Sequence, residues 1–178
     1  MTPSPDDLHW MKFAYSLAAH AAARDEVPVG AILVADDKIV ASGFNLRETL
    51  RQPTAHAELL AIEEACRIRQ SWRLNDCHLY VTLEPCLMCA GAIYQARVKQ
   101  VFFGAYDPKG GALGSLFQLN ADQRLNHRYP VIGGVMQEEC SAQLRSFFAK
   151  RRQEKVLPAE REQMPEEQDE NRGDDERP

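Results

Sequence analysis

The chain has 178 residues, of which 44% are hydrophobic and 26% are charged. This length fits one globular domain of ~150 residues with an appendage, and it excludes a second enzyme domain. The longest apolar runs fall short of the ~20 residues that cross a bilayer, and the first residues lack the features of a secretory signal. We therefore expect a cytoplasmic protein that does not associate with membranes.

The net charge of -5 is concentrated near the C-terminal end. Residues 153–178 hold ten acidic and four basic residues, whereas residues 1–152 hold 16 acidic and 17 basic ones. The near-neutral main part leaves an RNA partner open. We predict one domain over residues 1–155 and a disordered acidic tail over residues 156–178, because the tail has too few hydrophobic residues to offset the entropy of ordering.

The predicted elements begin with a helix and a hairpin and then alternate. Apolar residues at helical spacing predict a first helix up to about Ala23. Two β-rich runs flank Asp36 and Asp37, which favour a tight turn, and together they predict a hairpin. The hairpin strands are predicted at 27–35 and 38–45, and later strands at 78–83, 98–103 and 129–136. Helices are predicted at 55–67, from residue 85 onward and at 138–155, with a weak helical stretch near 122. A glycine-rich loop is predicted at 104–115.

This order predicts an α/β domain in which helices cover the faces of one sheet. Right-handed crossover connections would make the later strands parallel neighbours. Helices that start just after strand ends would then lie along one rim of the sheet, where open α/β folds bind ligands. Two of the predicted helix starts carry side chains suited to metal chemistry.

The candidate metal ligands are His56, Cys86 and Cys89. Two cysteines three residues apart at a helix start point the same way, and the positive helix end favours their thiolate forms. Two thiolates and one imidazole favour zinc, and three protein ligands leave a fourth position for water. Glu58 could move protons to and from that water. His56 and Glu58 reach one site only if His56 lies at or just before the helix start.

Each motif alone is weak. The histidine of an isolated H-x-E motif is more often structural than metal-binding. An isolated C-x-x-C motif can be a redox pair, a metal-binding pair or two ordinary buried cysteines. Together, H-x-E at one helix start and P-C-x-x-C at the next match the pattern of zinc deaminases. A non-enzymatic zinc module, in which Glu58 or another side chain closes the coordination shell, is the alternative.

Several segments outside the metal motifs point to one family. With them the chain resembles the cytidine deaminase-like superfamily, and within it the bacterial tRNA-specific adenosine deaminases. The resemblance implies a three-layer α/β/α domain with a central mixed five-stranded sheet. The matching segments are EVPVGAILV (26–34), GFN (43–45), PTAHAE (53–58), LYVTLEPCLMCAGAI (79–93), FGAYDPKGGALGSL (103–116), NHR (126–128) and FFAKRRQEK (147–155).

The resemblance implies hydrolytic deamination of the wobble adenosine of a tRNA anticodon to inosine. His56, Cys86 and Cys89 would hold one zinc ion per subunit, and Glu58 would shuttle protons. The partners would be the anticodon stem-loop and a second copy of the chain, in a homodimer. A zinc-dependent deaminase of a free base or nucleoside, of guanine or cytidine type, is the alternative, because it would use the same metal residues.

Three residues, one at a strand end and two in the glycine-rich loop, resemble the family's nucleotide contacts. Asn45 would hydrogen-bond the target nucleotide, although such an Asn also commonly serves as a turn residue. Asp107 and Lys109 would contact the ribose and backbone nearby. The other interpretation of this pair is an Asp-Pro turn followed by a solvated lysine.

The last predicted helix carries the remaining candidates for RNA binding. Phe147 would stack on bases of the loop, although a phenylalanine here could instead belong to the core. Arg151 and Arg152 would bind phosphates. These three complete the expected substrate-binding set.

Overall fold

The computed structural model describes residues 3–161, with their side chains through residue 154. Residues up to Phe147 form one compact unit, and the remainder of the last helix belongs to a second unit. None of the described helices is long and apolar enough to cross a membrane. The helices are α1 (Pro5–Ala22), α2 (Arg47–Leu50), α3 (Ala57–Arg69), α4 (Leu87–Ala96) and α5 (Gln137–Arg161). The strands are β1 (Gly30–Ala35), β2 (Lys38–Phe44), β3 (His78–Leu83), β4 (Gln100–Ala105) and β5 (Val131–Gly133).

The five strands form one mixed sheet in the order β2-β1-β3-β4-β5. Strand β1 runs antiparallel to both of its neighbours, β2 and β3, whereas β3, β4 and β5 are parallel. Strands β2 to β5 therefore all point the same way, and their carboxyl ends lie along one rim of the sheet. The predicted mixed five-stranded sheet with parallel later strands is confirmed.

Alternating side chains of the central strands pack in two hydrophobic clusters, one on each face of the sheet. Leu33 and Leu79 pack in the cluster that includes the buried faces of α3 and α4. Their neighbours Ile32 and Tyr80 pack in the other cluster, with Met11 of α1. Because successive residues of a strand face opposite sides, helices on both faces give the predicted three-layer arrangement.

The hairpin between β1 and β2 forms as predicted. Asp36 and Asp37 both have positive φ, at 49° and 53°. A two-residue turn with positive φ at both positions matches the right-handed twist of the flanking strands. The turn therefore directs β2 back along β1 at the edge of the sheet.

Helix α2 was not predicted, because four residues are too short to show helical periodicity. Strand β5 is shorter than the run predicted at 129–136. Pro130, which has no N–H for the sheet ladder, precedes it, and Gly134 follows with φ of 84°. The predicted boundary at 155/156 lies within α5, which continues to Arg161, and residues 162–178 lie outside the described residues.

Buried Glu26, in the turn after α1, holds the start of α2 through hydrogen bonds. Its carboxylate accepts hydrogen bonds from the backbone N–H of Glu48 at 3.2 Å and of Thr49 at 2.7 Å. Burial alone would raise the pKa of Glu26, but these backbone bonds together lower it below its ordinary value of 4.5. The carboxylate therefore satisfies donors at the start of a helix that has few other contacts.

We expect Glu26→Gln to destabilise the fold in a pH-dependent way. At pH 7 the loss of two charge-assisted bonds should lower the free energy of unfolding by about 2 kcal/mol. Because the folded-state pKa is depressed, the carboxylate stabilises the protein fully above pH 4.5 and loses this effect as the pH falls further. Thermal melting of both proteins from pH 7 to pH 3 measures this; a difference that stays constant below pH 4.5 would contradict it.

Candidate metal centre

The carboxyl rim of the sheet gathers most of the predicted site residues of the first unit. Asn45 directly follows β2, Cys86 lies three residues after the end of β3, and Asp107 lies two residues after the end of β4. The backbone N–H of Glu84 donates to Ala105 O at 2.8 Å, which joins the ends of β3 and β4. Parallel strands therefore bring segments far apart in sequence to one place.

His56 lies just before α3, as its proposed role requires. It is the N-cap residue, with φ of -82° and ψ of 149°, and its carbonyl accepts the first helical bond from Leu60 N at 3.0 Å. Glu58 follows as the second residue of the helix. The extended conformation at His56 lets both side chains point toward the same rim, which confirms the expected geometry.

Cys86 and Cys89 occupy the start of α4 in the same manner. Cys86 is the N-cap residue and its carbonyl accepts from Ala90 N at 2.8 Å, while Cys89 lies in the first turn. Cys89 is fully buried and Cys86 is half-buried. Both sulfurs therefore sit at the positive end of the helix, which favours the thiolate form that metal binding needs.

The three donor atoms have the separations that one zinc ion requires. His56 Nδ1 lies 3.8 Å from Cys86 Sγ and 3.5 Å from Cys89 Sγ. Tetrahedral zinc, with bonds of ~2.1 Å to nitrogen and ~2.3 Å to sulfur, places such atoms about 3.6 Å apart. Among the described residues this is the single His/Cys/Asp/Glu group whose ligand atoms all approach within 4.8 Å of one another. The separations of His56 Nδ1 from the two sulfurs therefore fit one zinc ion.

The two cysteine side chains shift each other's pKa in opposite directions. The Cys89 S–H donates to Cys86, which lowers the pKa of the Cys86 thiol to about 3. The same bond, with burial, raises the pKa of Cys89. Both thiols must be deprotonated to bind a metal ion.

Glu58 is buried beside these donors but is not a member of the converging group. Burial raises the pKa of its carboxyl, and this effect exceeds the opposing attraction of His56 and the hydrogen bond with Cys89. A carboxyl with raised proton affinity suits proton transfer. The arrangement thus has three candidate metal donors and a separate buried carboxyl group.

Asn45 lies at the same rim and is 5% exposed. Its backbone N–H donates to Val29 O at 3.0 Å, and the next residue, Leu46, donates to Ala55 O at 3.0 Å. The first bond joins the end of β2 to the residue before β1, and the second joins it to the segment that carries His56. The second bond, from the residue next to Asn45, therefore brings the end of β2 close to His56.

Asp107 and Lys109 lie in the loop after β4, residues 106–118, which we call the β4 loop. Asp107 is partly buried and its Oδ1 accepts a hydrogen bond from Lys109 N at 2.9 Å. Lys109 is exposed. The Asp-Pro turn that the sequence offered as the other interpretation is therefore present. Asp107 Oδ2 takes no part in the hydrogen bond of this turn.

The predicted RNA-binding residues of α5 divide between the two units. Phe147 is the last residue of the first unit and is partly buried. Arg151 and Arg152 belong to the second unit and are exposed, and Arg151 Nη1 lies 3.9 Å from Glu154 Oε2. Their proposed roles rest on the sequence resemblance.

Two charged residues near the metal donors were missed by the sequence analysis. The pKa of His56 is raised chiefly by its hydrogen bond with Cys86, and the positive charge of Arg47 on α2 opposes this increase. Glu84, directly before Pro85, is buried. An acidic residue at the end of an apolar strand was a visible signal for Glu84, whereas nothing in the local pattern distinguished Arg47.

The chain belongs to a family of zinc-dependent deaminases. The family model described as the cytidine and deoxycytidylate deaminase zinc-binding region matches residues 4–105, which include the converging donors. This description and the His-Cys-Cys group together identify the cofactor as zinc.

Within this family, the similar proteins include tRNA-specific adenosine deaminases. The protein of that name from Bacillus subtilis is 49% identical over 150 residues, covering 84% of this chain and 92% of that protein. The one from Haemophilus influenzae is 49% identical over 152 residues, covering 85% of this chain and 88% of that protein.

Two solved structures extend the comparison. One comes from studies of A-to-I editing by tRNA:A34 deaminases at the wobble position of transfer RNA. It is 42% identical with a TM-score of 0.74, covering 76% of this chain and 99% of that chain. A guanine deaminase from Bacillus subtilis is 45% identical with a TM-score of 0.54, covering 55% of this chain and 63% of that chain. The fold accordingly serves more than one deaminase substrate.

We expect Cys86→Ala to lose zinc and Glu58→Gln to retain it. Removing a ligand should weaken zinc binding by more than the roughly 100-fold seen when only a supporting partner is changed. Elemental analysis of dialysed protein should give one zinc per chain for the parent and for Glu58→Gln. Cys66→Ala, a cysteine outside the site, is the matched control, and zinc loss from Glu58→Gln would show that the carboxylate is itself a ligand.

Proposed function

We propose that this protein deaminates the wobble adenosine of a tRNA anticodon to inosine, with release of ammonia. The observation that carries the proposal is the convergence of His56 Nδ1 with the sulfurs of Cys86 and Cys89, with Glu58 buried beside them but outside the donor group. The tRNA-specific adenosine deaminases that match over more than four fifths of the chain support the substrate.

In the proposed mechanism, His56, Cys86 and Cys89 would hold zinc, and Glu58 would transfer protons. A zinc ion in such a site lowers the pKa of water toward ~7 and so supplies a nucleophile at neutral pH. Glu58 accepts a proton from the attacking water and returns it to the amino group that leaves. One water is consumed, the bond from the ring carbon to the amino nitrogen breaks, and ammonia departs with the transferred proton.

An anticodon loop suits a site at the rim of a sheet. The target base must leave its stack to enter the site, which costs least for an unpaired loop nucleotide. Asn45, at the end of β2, would hydrogen-bond the target nucleotide. Asp107 and Lys109 on the β4 loop would contact the ribose and backbone beside it.

The residues of α5 would extend the contact to the rest of the loop. Phe147 would stack on a base, and Arg151 and Arg152 would neutralise phosphates. The resemblance of residues 147–155 to the family supports this assignment. Binding would then depend on salt concentration through the arginines and less so through the aromatic contact.

The proposed active form is a homodimer in the cytoplasm, where bacterial tRNA is found. Leu87 and Met88 in the first turn of α4 are large apolar side chains with 50% and 36% exposure. They lie between the two metal cysteines in sequence, so a partner that covered them would also border the metal centre. The sequence resemblance supports the same assembly.

Deamination of a free base is the second candidate, because the guanine deaminase of Bacillus subtilis is 45% identical over its matched part. That likeness covers 55% of this chain, whereas the tRNA:A34 deaminase structure covers 76%. Because the tRNA:A34 deaminase structure matches more of this chain, tRNA is favoured over a free base as the substrate. Guanine and cytidine are therefore the competing substrates in the assay.

We expect the zinc-loaded protein to convert adenosine to inosine at the wobble position of an anticodon stem-loop. Glu58→Gln should lower kcat by about 100-fold to 10,000-fold, because it removes the proton-transferring group and keeps the metal ligands. Nucleoside analysis of the digested RNA by mass spectrometry measures the product. A stem-loop with guanosine at the wobble position is the control RNA.

Two results would overturn the proposal. One is the absence of inosine from the stem-loop with fully zinc-loaded protein. The other is a kcat/KM for free guanine or cytidine that exceeds the value for the stem-loop, which would establish the second candidate.

We expect Arg152→Gln to weaken RNA binding chiefly at low salt. Loss of one phosphate contact should reduce the slope of log affinity against log salt concentration by about 0.7 to 0.9. Filter binding or fluorescence anisotropy across a salt series measures the slope. Arg67→Gln, at an exposed ion pair with Glu64 on α3, is the matched control, and equal slopes for both variants would remove Arg152 from the interface.

A further inference from the structure

A second buried carboxylate lies next to the metal centre and has no part in the mechanism above. Glu84 directly follows β3 and precedes Pro85 and Cys86, and it is 2% exposed. A carboxylate buried to this extent must find donors within the protein, since water cannot solvate it. All the donors that reach it come from the β4 loop.

The carboxylate of Glu84 binds the β4 loop at three separate residues. Its Oε2 accepts from the backbone N–H of Asp107 at 3.1 Å and from the hydroxyl of Ser115. Its Oε1 accepts from the backbone N–H of Leu113 at 3.0 Å and of Ser115 at 2.9 Å. One side chain thus satisfies four donors along a nine-residue stretch that would otherwise have little regular structure.

Gly111 lets the loop wrap around this carboxylate. A Cβ at Gly111 would collide with all three atoms of the Glu84 carboxyl group. The same glycine forms an isolated β-bridge with Cys86, and Ala112 N donates to Pro85 O at 2.9 Å. The loop that carries Asp107 is therefore attached to the segment that carries the metal ligand, with Glu84 between them.

We propose that Glu84 is a positioning residue that fixes the β4 loop, and with it Asp107 and Lys109, for binding of the RNA substrate. This inference rests on the proposed function, since it assigns the loop a role in RNA binding. The backbone N–H of Asp107 is one of the four donors, so the bond acts directly on a residue expected to contact the substrate. The metal donors themselves come from the starts of α3 and α4, so we expect zinc to stay bound when Glu84 is replaced.

Only a carboxylate can fill this position. Its two oxygens accept from all four donors, whereas a glutamine amide presents an NH₂ group to one pair of them. If that group replaces Oε2, it faces the N–H of Asp107 with no acceptor between them. Glu84→Gln therefore keeps the size of the side chain and specifically releases one end of the loop.

The test compares three variants with the parent, all loaded with zinc. Glu84→Gln should raise KM for the stem-loop about tenfold or more and change kcat less than threefold. Ser115→Ala, which removes one of the four donors, should raise KM by about threefold. Asp7→Asn removes a different buried carboxylate, which binds Ser4 just before α1 and Tyr80 on β3, and should leave KM unchanged.

Hydrogen exchange provides a readout that does not depend on activity. In Glu84→Gln the amide of Asp107 should exchange about tenfold faster than in the parent, while those of α3 and α4 keep their rates. Zinc content should stay at one ion per chain. A merely structural role would instead lower the melting temperature, as in Asp7→Asn, with no selective change in KM.

Three outcomes would overturn the inference: unchanged exchange in the β4 loop, faster exchange with an unchanged KM, or loss of zinc from Glu84→Gln. If that variant does not fold, Ser115→Ala decides the question, and an unchanged KM then counts against Glu84. Absence of inosine from the parent protein would refute the proposed function itself. An active parent with an unaltered variant refutes only the positioning role.

Discussion

The close packing of α3 on β2 is the constraint on which the metal centre depends. At Gly43 the backbone of β2 approaches α3 so closely that a Cβ would lie 2.5 Å from Ala57 O and 2.9 Å from Ala61 N. Only glycine allows this approach, and small residues on α3 complete the contact. The start of α3, and therefore His56, is held at the carboxyl rim of the sheet opposite the start of α4.

From that packing the chemistry of the site follows. His56 and Cys86 are both N-cap residues, so their side chains leave the helices at defined angles and meet beyond the rim. Glu58, the second residue of α3, is buried close to that contact between helix and sheet. The positions at which α3 and α4 begin thus determine which side chains converge as metal donors and which carboxyl group stays separate from them.

Much of this arrangement could be predicted from the sequence, because it depends on short-range signals. Proline and N-cap residues marked the helix starts, the Asp36-Asp37 turn marked the hairpin, and the spacing of Cys86 and Cys89 marked the metal pair. These features involve residues within a few positions of one another, where propensity and geometry act directly.

The unpredicted features depend on contacts between distant segments. The carboxylate of Glu84 meets donors 23 to 31 residues further along the chain, and that of Glu26 meets donors 22 and 23 residues further along. No local pattern in the sequence encodes such pairs. Helix α2 belongs to the same group, since its four residues are supported by Glu26 from a distant turn.

The edges of the sheet bear on how two copies of the chain could associate. Strand β5 at one edge has three residues, and β2 at the other begins with Lys38 and has an irregular register opposite Leu33 and Val34. Short, charged or irregular edge strands resist pairing with strands of another molecule. Self-association by strand addition is therefore disfavoured, which protects against aggregation and directs assembly toward the helical surfaces.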